Sequence, residues 1–351
     1  MNVAGFNSRG DVPAAPKLTT RHYGDVDAQA ASVPGHDQTY SQLTAGRFEG
    51  VVHSHIISPK AALFLEATNR GIRKQFCVPP GSLRIGYLLD EVTKCNVNGT
   101  RMSGHDLFAN LPMTEIDLHF SDDHHAAWIT LDFEEVRGMI RLNEEPCDLH
   151  QTGRLQLASK AGGLFRMTLA AARQELFNPG KTRPPASTVA AFEKILFSLA
   201  AWTVTTALGS DLEMRRSSAA HRARLLRKAC EIIDARLMEG LTMFELCQMI
   251  GTSRRTLENI FVEALGVSPY QYVRTLRLNS IRKALLLEEN ANSTIGDIVG
   301  GWGIWHLSRF AADYRSMFGE LPSQTRAGLA LRASGGCASV DPAGVLSRRL
   351  E

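Results

Sequence analysis

The strongest constraint on this chain of 351 residues is a helical motif that occurs twice near its carboxy terminus. The first copy reads TMFELCQMIG followed by SRRTLENIFVEAL. Leu257, Ile260, Phe261, Ala264 and Leu265 recur at helical spacing and leave Arg254, Arg255, Glu258 and Asn259 on the opposite face. Thr242 and Glu245 have the spacing of a capping box, and Gly251 supplies the turn. In the second copy Thr294 and Ile295 begin a short helix and Gly303 sits near a turn. HLSRFAADYRSMF then turns Phe310, Tyr314 and Phe318 inward. Between the copies, Ser268 and Pro269 start a long helix that reaches about Leu287. A short helix, a tight turn and a helix with an exposed polar face is how a protein seats a helix in a DNA major groove. Two such units on one connecting helix can reach groove segments roughly 34 Å apart.

Upstream the periodicity changes. His221 to Met238 predicts an opening helix with Leu225, Ile232 and Ile233 inward, and the polar stretch 209–219 reads as a linker. From Arg47 to Phe133 the runs have period two: Leu83, Ile85, Tyr87 and Leu89 share one face, and Ile116, Leu118 and Phe120 alternate with Glu115, Asp117 and His119. PPGS, NGT and SDDHH separate these runs, which predicts a small antiparallel barrel or sandwich over 47–133. Helices over about 153–177 and 187–208, joined by NPGKTRPPAS, complete a domain spanning 41–208. Their apolar faces either pack on the strands or pair two copies of the chain. Residues 1–40 read as a loose arm and 327–351 as a poorly ordered tail. The length suits two domains with separate cores.

Composition excludes several classes. No signal peptide is recognisable, and no apolar run approaches the roughly 20 residues of a membrane span, so the expectation is a cytoplasmic, soluble protein with no membrane partner. The six cysteines include no CxxC pair, which argues against a zinc ribbon or a disulfide framework. A net charge of +3 is too small to name a partner by itself. His53 and His55 share a strand face, as metal ligands can, but IISPK follows without a glutamate, so no metal and no cofactor is expected.

The run LTMFELCQMIGTSRRTLENIF, GVSPYQYVRTLRLNSIRKALL and TIGDIVGGWGIWHLSRFAADYRSMFGELPS, in that order, closely resembles the DNA-binding domain of the AraC/XylS family of transcription regulators over about 220–326. RLNSIRKAL and WGIWHLSRFAADY look most like the branch containing the regulator of ethanolamine utilisation. The resemblance implies a multidomain α+β protein. Its amino-terminal part would be a cupin-like barrel that binds a small-molecule effector, with helices that make a homodimer. Its carboxy-terminal part would be an all-helical domain with two helix-turn-helix units. It implies no enzyme, and as partners double-stranded promoter DNA and RNA polymerase. In two places the chain departs from the family pattern: Gly300 and Gly301 fall inside the second short helix, and Thr325 stands where tyrosine is usual.

Carried onto this sequence, the base-reading positions are Arg255, Glu258 and Asn259 in the first head and His306, Ser308 and Arg309 in the second, while Ala312 lacks a polar group. Arginine can donate twice to guanine, asparagine can pair with adenine, and glutamate can accept from cytosine or orient Arg255. Arg254, Arg274, Arg282 and Lys283 are candidates for phosphate contacts, with Arg277 a structural partner inside the domain. Trp302, Trp305 and Tyr314 read as core. Phe64, Phe76, Tyr87, Trp128 and Phe133 are candidate walls of an effector pocket, with Arg73 or Arg84 as polar anchor. The expected function is a ligand-responsive activator of transcription. The rivals are a cupin-type metalloenzyme with an accessory DNA-binding domain and a constitutive dimeric DNA-binding protein.

Overall fold

The computed structural model describes residues 16–32, 38–102, 104, 106–140, 154–157, 159–177, 184–214, 218–290 and 292–333. The chain runs β1 (Lys17–Tyr23), α1 (Val26–Ala30), β2 (Gln38–Gln42), β3 (Gly50–Ser58), β4 (Ala61–Thr68), β5 (Ile72–Cys77) and β6 (Ser82–Leu88). It continues with β7 (Cys95–Val97), β8 (Thr100–Met102), β9 (Leu107–Asn110), β10 (Glu115–Phe120), β11 (His124–Asp132), α2 (Phe133–Met139) and β12 (Arg154–Leu157). Two helices close the amino-terminal domain, α3 (Ser159–Phe177) and α4 (Ala186–Met214).

The strands make two antiparallel sheets, ordered β1-β3-β4-β11-β6-β9-β12 and β2-β5-β10-β7-β8. Their end strands are not joined to each other, so the expected barrel is instead a pair of open sheets. Strand alternation sorts the residues into layers. Leu83, Ile85 and Tyr87 of β6 and Ala127, Ile129 and Leu131 of β11 form one core with Phe165, Leu169, Leu196, Phe197 and Ala200 of α3 and α4. On β5 and β10, Ile72, Phe76, Ile116, Leu118 and Phe120 fill a second core between the sheets. The intervening residues of β5 and β10, Arg73, Gln75, Asp117 and His119, face the carboxy-terminal domain.

The expected loose arm contains β1, which pairs with β3 from Lys17↔Ile56 to Tyr23↔Gly50. KLTTRHY is an edge strand with mostly exposed side chains, so it has no apolar alternation to announce it. Arg154–Leu157 pairs with β9 and delays the start of α3. The expected linker is mostly helical, because α4 runs to Met214 and the next helix begins at Ser218; polar residues with good helix propensity were read as a connection. The segment Ala186–Thr205 is long and apolar enough to span a membrane by length and composition, but Leu196, Phe197, Ala200 and Val204 lie in the core of this domain.

The carboxy-terminal domain comprises α5 (Ser218–Ala235), α6 (Met243–Ile250), α7 (Arg254–Leu265), α8 (Pro269–Leu286), a 3-10 turn (Glu288–Asn290), α9 (Ile295–Gly300), α10 (Leu307–Phe318) and α11 (Pro322–Ala333). The last of these enters the expected tail, and the residues beyond 333 lie outside the described ones. Two small cores share α8: Tyr272, Val273 and Leu276 pack with α5 to α7, while Leu278, Ile281 and Leu285 pack with Val299, Phe310, Tyr314 and Phe318. The connecting helix is therefore the rigid axle on which both heads are built.

Candidate nucleic-acid interface

Local chemistry fixes both reading helices. Thr242 and Glu245 make a reciprocal capping box on α6, Gly251 ends it at φ 77°, and the Ser253 hydroxyl accepts from the Thr256 N–H to start α7. A left-handed φ at Gly251 lets the chain turn directly into the next helix, which a β-carbon would penalise. The Leu257, Ile260 and Phe261 side chains are buried, and Arg254, Arg255, Glu258 and Asn259 point to solvent. Glu258 Oε1 accepts from Arg254 Nε at 3.1 Å, so the in-helix partner is Arg254 and not Arg255. That pairing leaves the guanidinium of Arg255 and the carboxamide of Asn259 exposed side by side on the helix.

The second head repeats the design with a difference. Thr294 and Asp297 form a capping box on α9, and Gly301 is its carboxy-terminal cap, so only Gly300 is helical and it occupies the last position. The expected interior glycine pair is thus a helix end, where glycine costs little. Thr325 is buried; its hydroxyl donates to Glu320 Oε1 at 2.6 Å and meets the Tyr314 hydroxyl at 2.9 Å. The threonine serves here as a tie for the head's last turn. His306 caps α10 without a side-chain hydrogen bond, and His306, Ser308, Arg309 and Ala312 are exposed. Trp305 is 80% exposed beside them, contrary to the core expectation, while Tyr314 is buried and Trp302 packs partly against the core.

The candidates for phosphate contacts divide. Arg254 and Lys283 keep solvent-facing heads, though the Lys283 ammonium lies 3.7 Å from an Asp27 oxygen. Arg274 pairs with Asp313, joining α8 to α10. Arg282 is 8% exposed and belongs to no DNA-facing surface: it bonds Asp25 at 2.5 Å, Asp27 at 3.1 Å and Glu320 at 3.3 Å. At Arg282 the helix α8 meets both the amino-terminal domain and the second head, so this cation faces protein. Arg277 is structural as expected, donating from Nε to the Leu237 carbonyl at 3.0 Å.

Comparison with known proteins follows this geometry. The helix-turn-helix domain family matches residues 246–328. A transcriptional regulator of Chromobacterium violaceum, described as containing an AraC-type DNA-binding domain, is 31% identical; the match covers 33% of this chain and 99% of that one, with a TM-score of 0.30. The carboxy-terminal domain belongs to the AraC/XylS family. The XylDLEGF operon transcriptional activator of Pseudomonas putida is 38% identical over 99 residues, 28% of this chain and 30% of its own length. The regulatory protein HrpB of Ralstonia nicotianae is 35% identical over 126 residues, 36% of this chain and 25% of its own. This chain thus spans less than a third of the length of these curated relatives.

Behind the AraC-type domain lies a pocket between the two sheets, lined by Tyr40, Lys74, Phe76, Arg84, Phe108 and Trp128 among others. Of the expected walls, Phe76, Arg84 and Trp128 are there. Phe64 stacks on Trp128 at 5.3 Å without lining the cavity, and Tyr87 and Phe133 belong to the core under the helices. Arg73 points the other way. The cavity is only about 20 Å³, room for about one water molecule. Its interior is taken by the chain's own cations: the Lys74 ammonium lies 4.9 Å from the Tyr40 ring, 5.0 Å from Phe120 and 5.2 Å from Trp128, and pairs with Glu66. The Arg84 guanidinium lies 4.3 Å from the Phe76 ring, and burial lowers its pKa to about 10. Lys74 and Tyr40 were not singled out in the sequence. Lys74 was legible as sharing the inward face with Phe76.

The outward face of the same strands forms a seam with the AraC-type domain that the sequence did not announce. Arg73 is gripped by Asp117 at 2.9 and 2.6 Å and by Asp234 of α5 at 2.7 and 2.6 Å. His119 Nε2 lies 2.9 Å from the Tyr272 hydroxyl. Asn279 accepts from the Gln42 N–H and donates to its carbonyl, both at 2.8 Å, completing the free edge of β2. At the second head, the Gln42 carboxamide and the Gly46 N–H both donate to the Met317 carbonyl, at 2.8 and 3.0 Å. Of the two strand histidines, His53 meets Thr20 at 3.2 Å, and His55 packs edge-on against Phe177. Among the described residues, the group with ligand atoms close enough to hold an ion is Asp117, His119 and Cys230 in the seam.

Proposed function

We propose that the whole chain is a cytoplasmic, sequence-specific regulator of transcription, an activator that recruits RNA polymerase and answers to a small molecule. The observation that carries this reading is the pair of exposed polar helix faces, Arg255, Glu258 and Asn259 on α7 and His306, Ser308 and Arg309 on α10, mounted on one buried connecting helix. Arg255 and Arg309 read guanine, Asn259 reads adenine, and Glu258, held by Arg254, accepts from cytosine. The activator direction is supported by the Pseudomonas putida relative, and the motifs in α8 and α10 support a place in the ethanolamine-utilisation regulator branch.

Response to a ligand is supported by the seam, which ties the amino-terminal sheet to both heads. Self-association is supported by Leu164, Met167, Ile195 and Trp202, large apolar side chains exposed on α3 and α4. The metalloenzyme alternative has less support, since IISPK follows His55 without a glutamate and His55 packs edge-on against Phe177. The test is selection of bound fragments from a genomic library by the full chain and by Arg255→Ala. A recovered consensus that the variant fails to select supports the reading; recovery of unrelated sequences by the wild type refutes it.

A further inference from the structure

The seam between β10 and α5 brings three metal-ligating side chains together. Asp117 and His119 stand two residues apart on one face of β10, and Cys230 comes from α5 across the domain boundary. Each offers one ligand atom, and the three atoms lie within 4.8 Å of one another. Asp117 Oδ1 and His119 Nδ1 are 3.6 Å apart. Ligands about 2.0–2.3 Å from a tetrahedral zinc ion stand roughly 3.3–3.8 Å from each other. The seam thus needs to close by no more than about 1 Å around an ion, an adjustment within reach of side-chain rotation.

Two features separate this group from an ordinary salt-bridge network. The first is His119, which is 5% exposed. Its Nε2 is engaged by the Tyr272 hydroxyl at 2.9 Å, and its Nδ1 is buried with no hydrogen-bond partner. An unmet buried nitrogen is costly, and a metal ion satisfies it, while the bond to Tyr272 is the kind of outer contact that orients a ligating imidazole. The second feature is charge. Asp117 and Asp234 share the one guanidinium of Arg73, which leaves a surplus negative charge at this point of the seam. A Cys230 thiolate would double that surplus, and a divalent cation neutralises it. Burial pushes the Cys230 thiol up to about 12, so it keeps its proton until an ion takes the sulfur.

We propose that Asp117, His119 and Cys230 form a binding site for a divalent transition ion of the zinc class. Thiolate, imidazole and carboxylate are the ligands zinc takes, whereas magnesium and calcium prefer oxygen alone. On binding, the Cys230 S–H bond breaks, a sulfur–metal bond forms and the proton leaves to solvent; Asp117 and His119 supply lone pairs, and a water completes the four-coordinate shell. The ion ties β10 to α5, and so the amino-terminal domain to the first head, beside the Arg73 to Asp234 pair. The site stands independently of the reading of the chain as a DNA-binding regulator.

The experiment uses the full chain, dialysed against a chelator and titrated with zinc chloride by calorimetry and with cobalt chloride by ultraviolet absorption; magnesium chloride is the control. The expected result is one zinc per chain, one proton released per ion at pH 7, a raised Tm, the absorption band of a thiolate–cobalt bond and no response to magnesium. Cys77→Ala, which removes an exposed thiol, should keep all of these. Cys230→Ala and His119→Gln should each weaken zinc binding more than about a hundredfold, beyond the cost of losing an outer-shell partner. Circular dichroism checks that each variant is folded, and glutamine at 119 keeps a polar group beside Tyr272. The assignment is overturned by an absence of saturable zinc binding, by a cobalt complex without the thiolate band, by loss of that band in Cys77→Ala, or by unchanged affinity in either folded variant. The wild-type and Cys77→Ala spectra decide even where a seam variant does not fold. Failure of genomic-fragment selection sinks DNA reading without touching this result, and the reverse holds equally.

Discussion

Replacing Asn279 by alanine tests whether the two domains behave as one body. Asn279 is 3% exposed, and its carboxamide is the partner for both backbone groups of Gln42 on the outer edge of β2, at 2.8 Å each. It also donates to the Thr275 carbonyl at 2.9 Å, which holds the side chain in register with the strand. Truncation removes both bonds and leaves a buried N–H and a buried carbonyl without partners, each costing about 1–3 kcal/mol. Water entering the space left behind recovers part of this, so the net expectation is roughly 2–5 kcal/mol. Urea denaturation followed by circular dichroism, with hydrogen exchange read at the Gln42 amide, measures it. A loss of about 2 kcal/mol corresponds to an approximately thirty-fold acceleration of seam opening. An unchanged midpoint and slope together with unaltered protection of the Gln42 amide would show that the seam contributes nothing and would sink the argument.

Further outcomes follow from the same geometry. Arg73→Met leaves Asp117 and Asp234 facing each other across the seam, so a loss of about 3–5 kcal/mol is expected in denaturation; adding Asp234→Asn should recover part of it, and no recovery refutes the pairing. At the DNA, Arg255→Ala should cost more specific binding than Arg309→Ala, since α7 has a side-chain cap and α10 has none; equal losses on a selected fragment at fixed salt contradict that ranking. Burial lowers the His119 pKa to about 4, so the unfolded chain takes up this proton first. Stability from this group is complete above about pH 6.5 and is lost as pH falls toward 4, by on the order of 3 kcal/mol; His119→Gln should flatten that part of the Tm profile. Finally, Trp305 is the most exposed tryptophan beside the second head, so fluorescence quenching by bound duplex should shrink in Trp305→Phe; identical quenching would place that side chain off the DNA.

What was legible in the sequence was what neighbouring residues decide. The caps at Thr242, Ser268 and Thr294 act within three residues, and the left-handed turn at Gly251 is local too, so both heads could be read from spacing. Period-two alternation placed Leu83, Ile85 and Tyr87 on one face correctly. It could not say that the other face of β5 would also be covered, and so it offered Arg73 as a pocket anchor when Lys74 is the residue inside. The seam escaped for a related reason: Gln42 and Asn279 are 237 residues apart, and Arg73 and Asp234 are 161 apart. Arg282 looked like a phosphate contact because an arginine on a polar-faced helix normally is solvated. Trp305 looked like core because its spacing from Trp302 suggests one face, whereas the turn at Gly303, φ 70°, separates their surroundings.

The alternation of β5 and β10 gives these strands two different working faces. Lys74, Phe76, Leu118 and Phe120 face the space between the sheets, while Arg73, Asp117 and His119, one residue away on the same strands, hold α5 and α8. The first head is therefore anchored through Asp234 and Tyr272, and the second through Met317 and Glu320, by separate sets of bonds. Coupling between sites is typically about 1–3 kcal/mol, the size of one or two of these bonds. Loss of a single one of these bonds is therefore large enough to loosen the head that it holds while leaving the other in place.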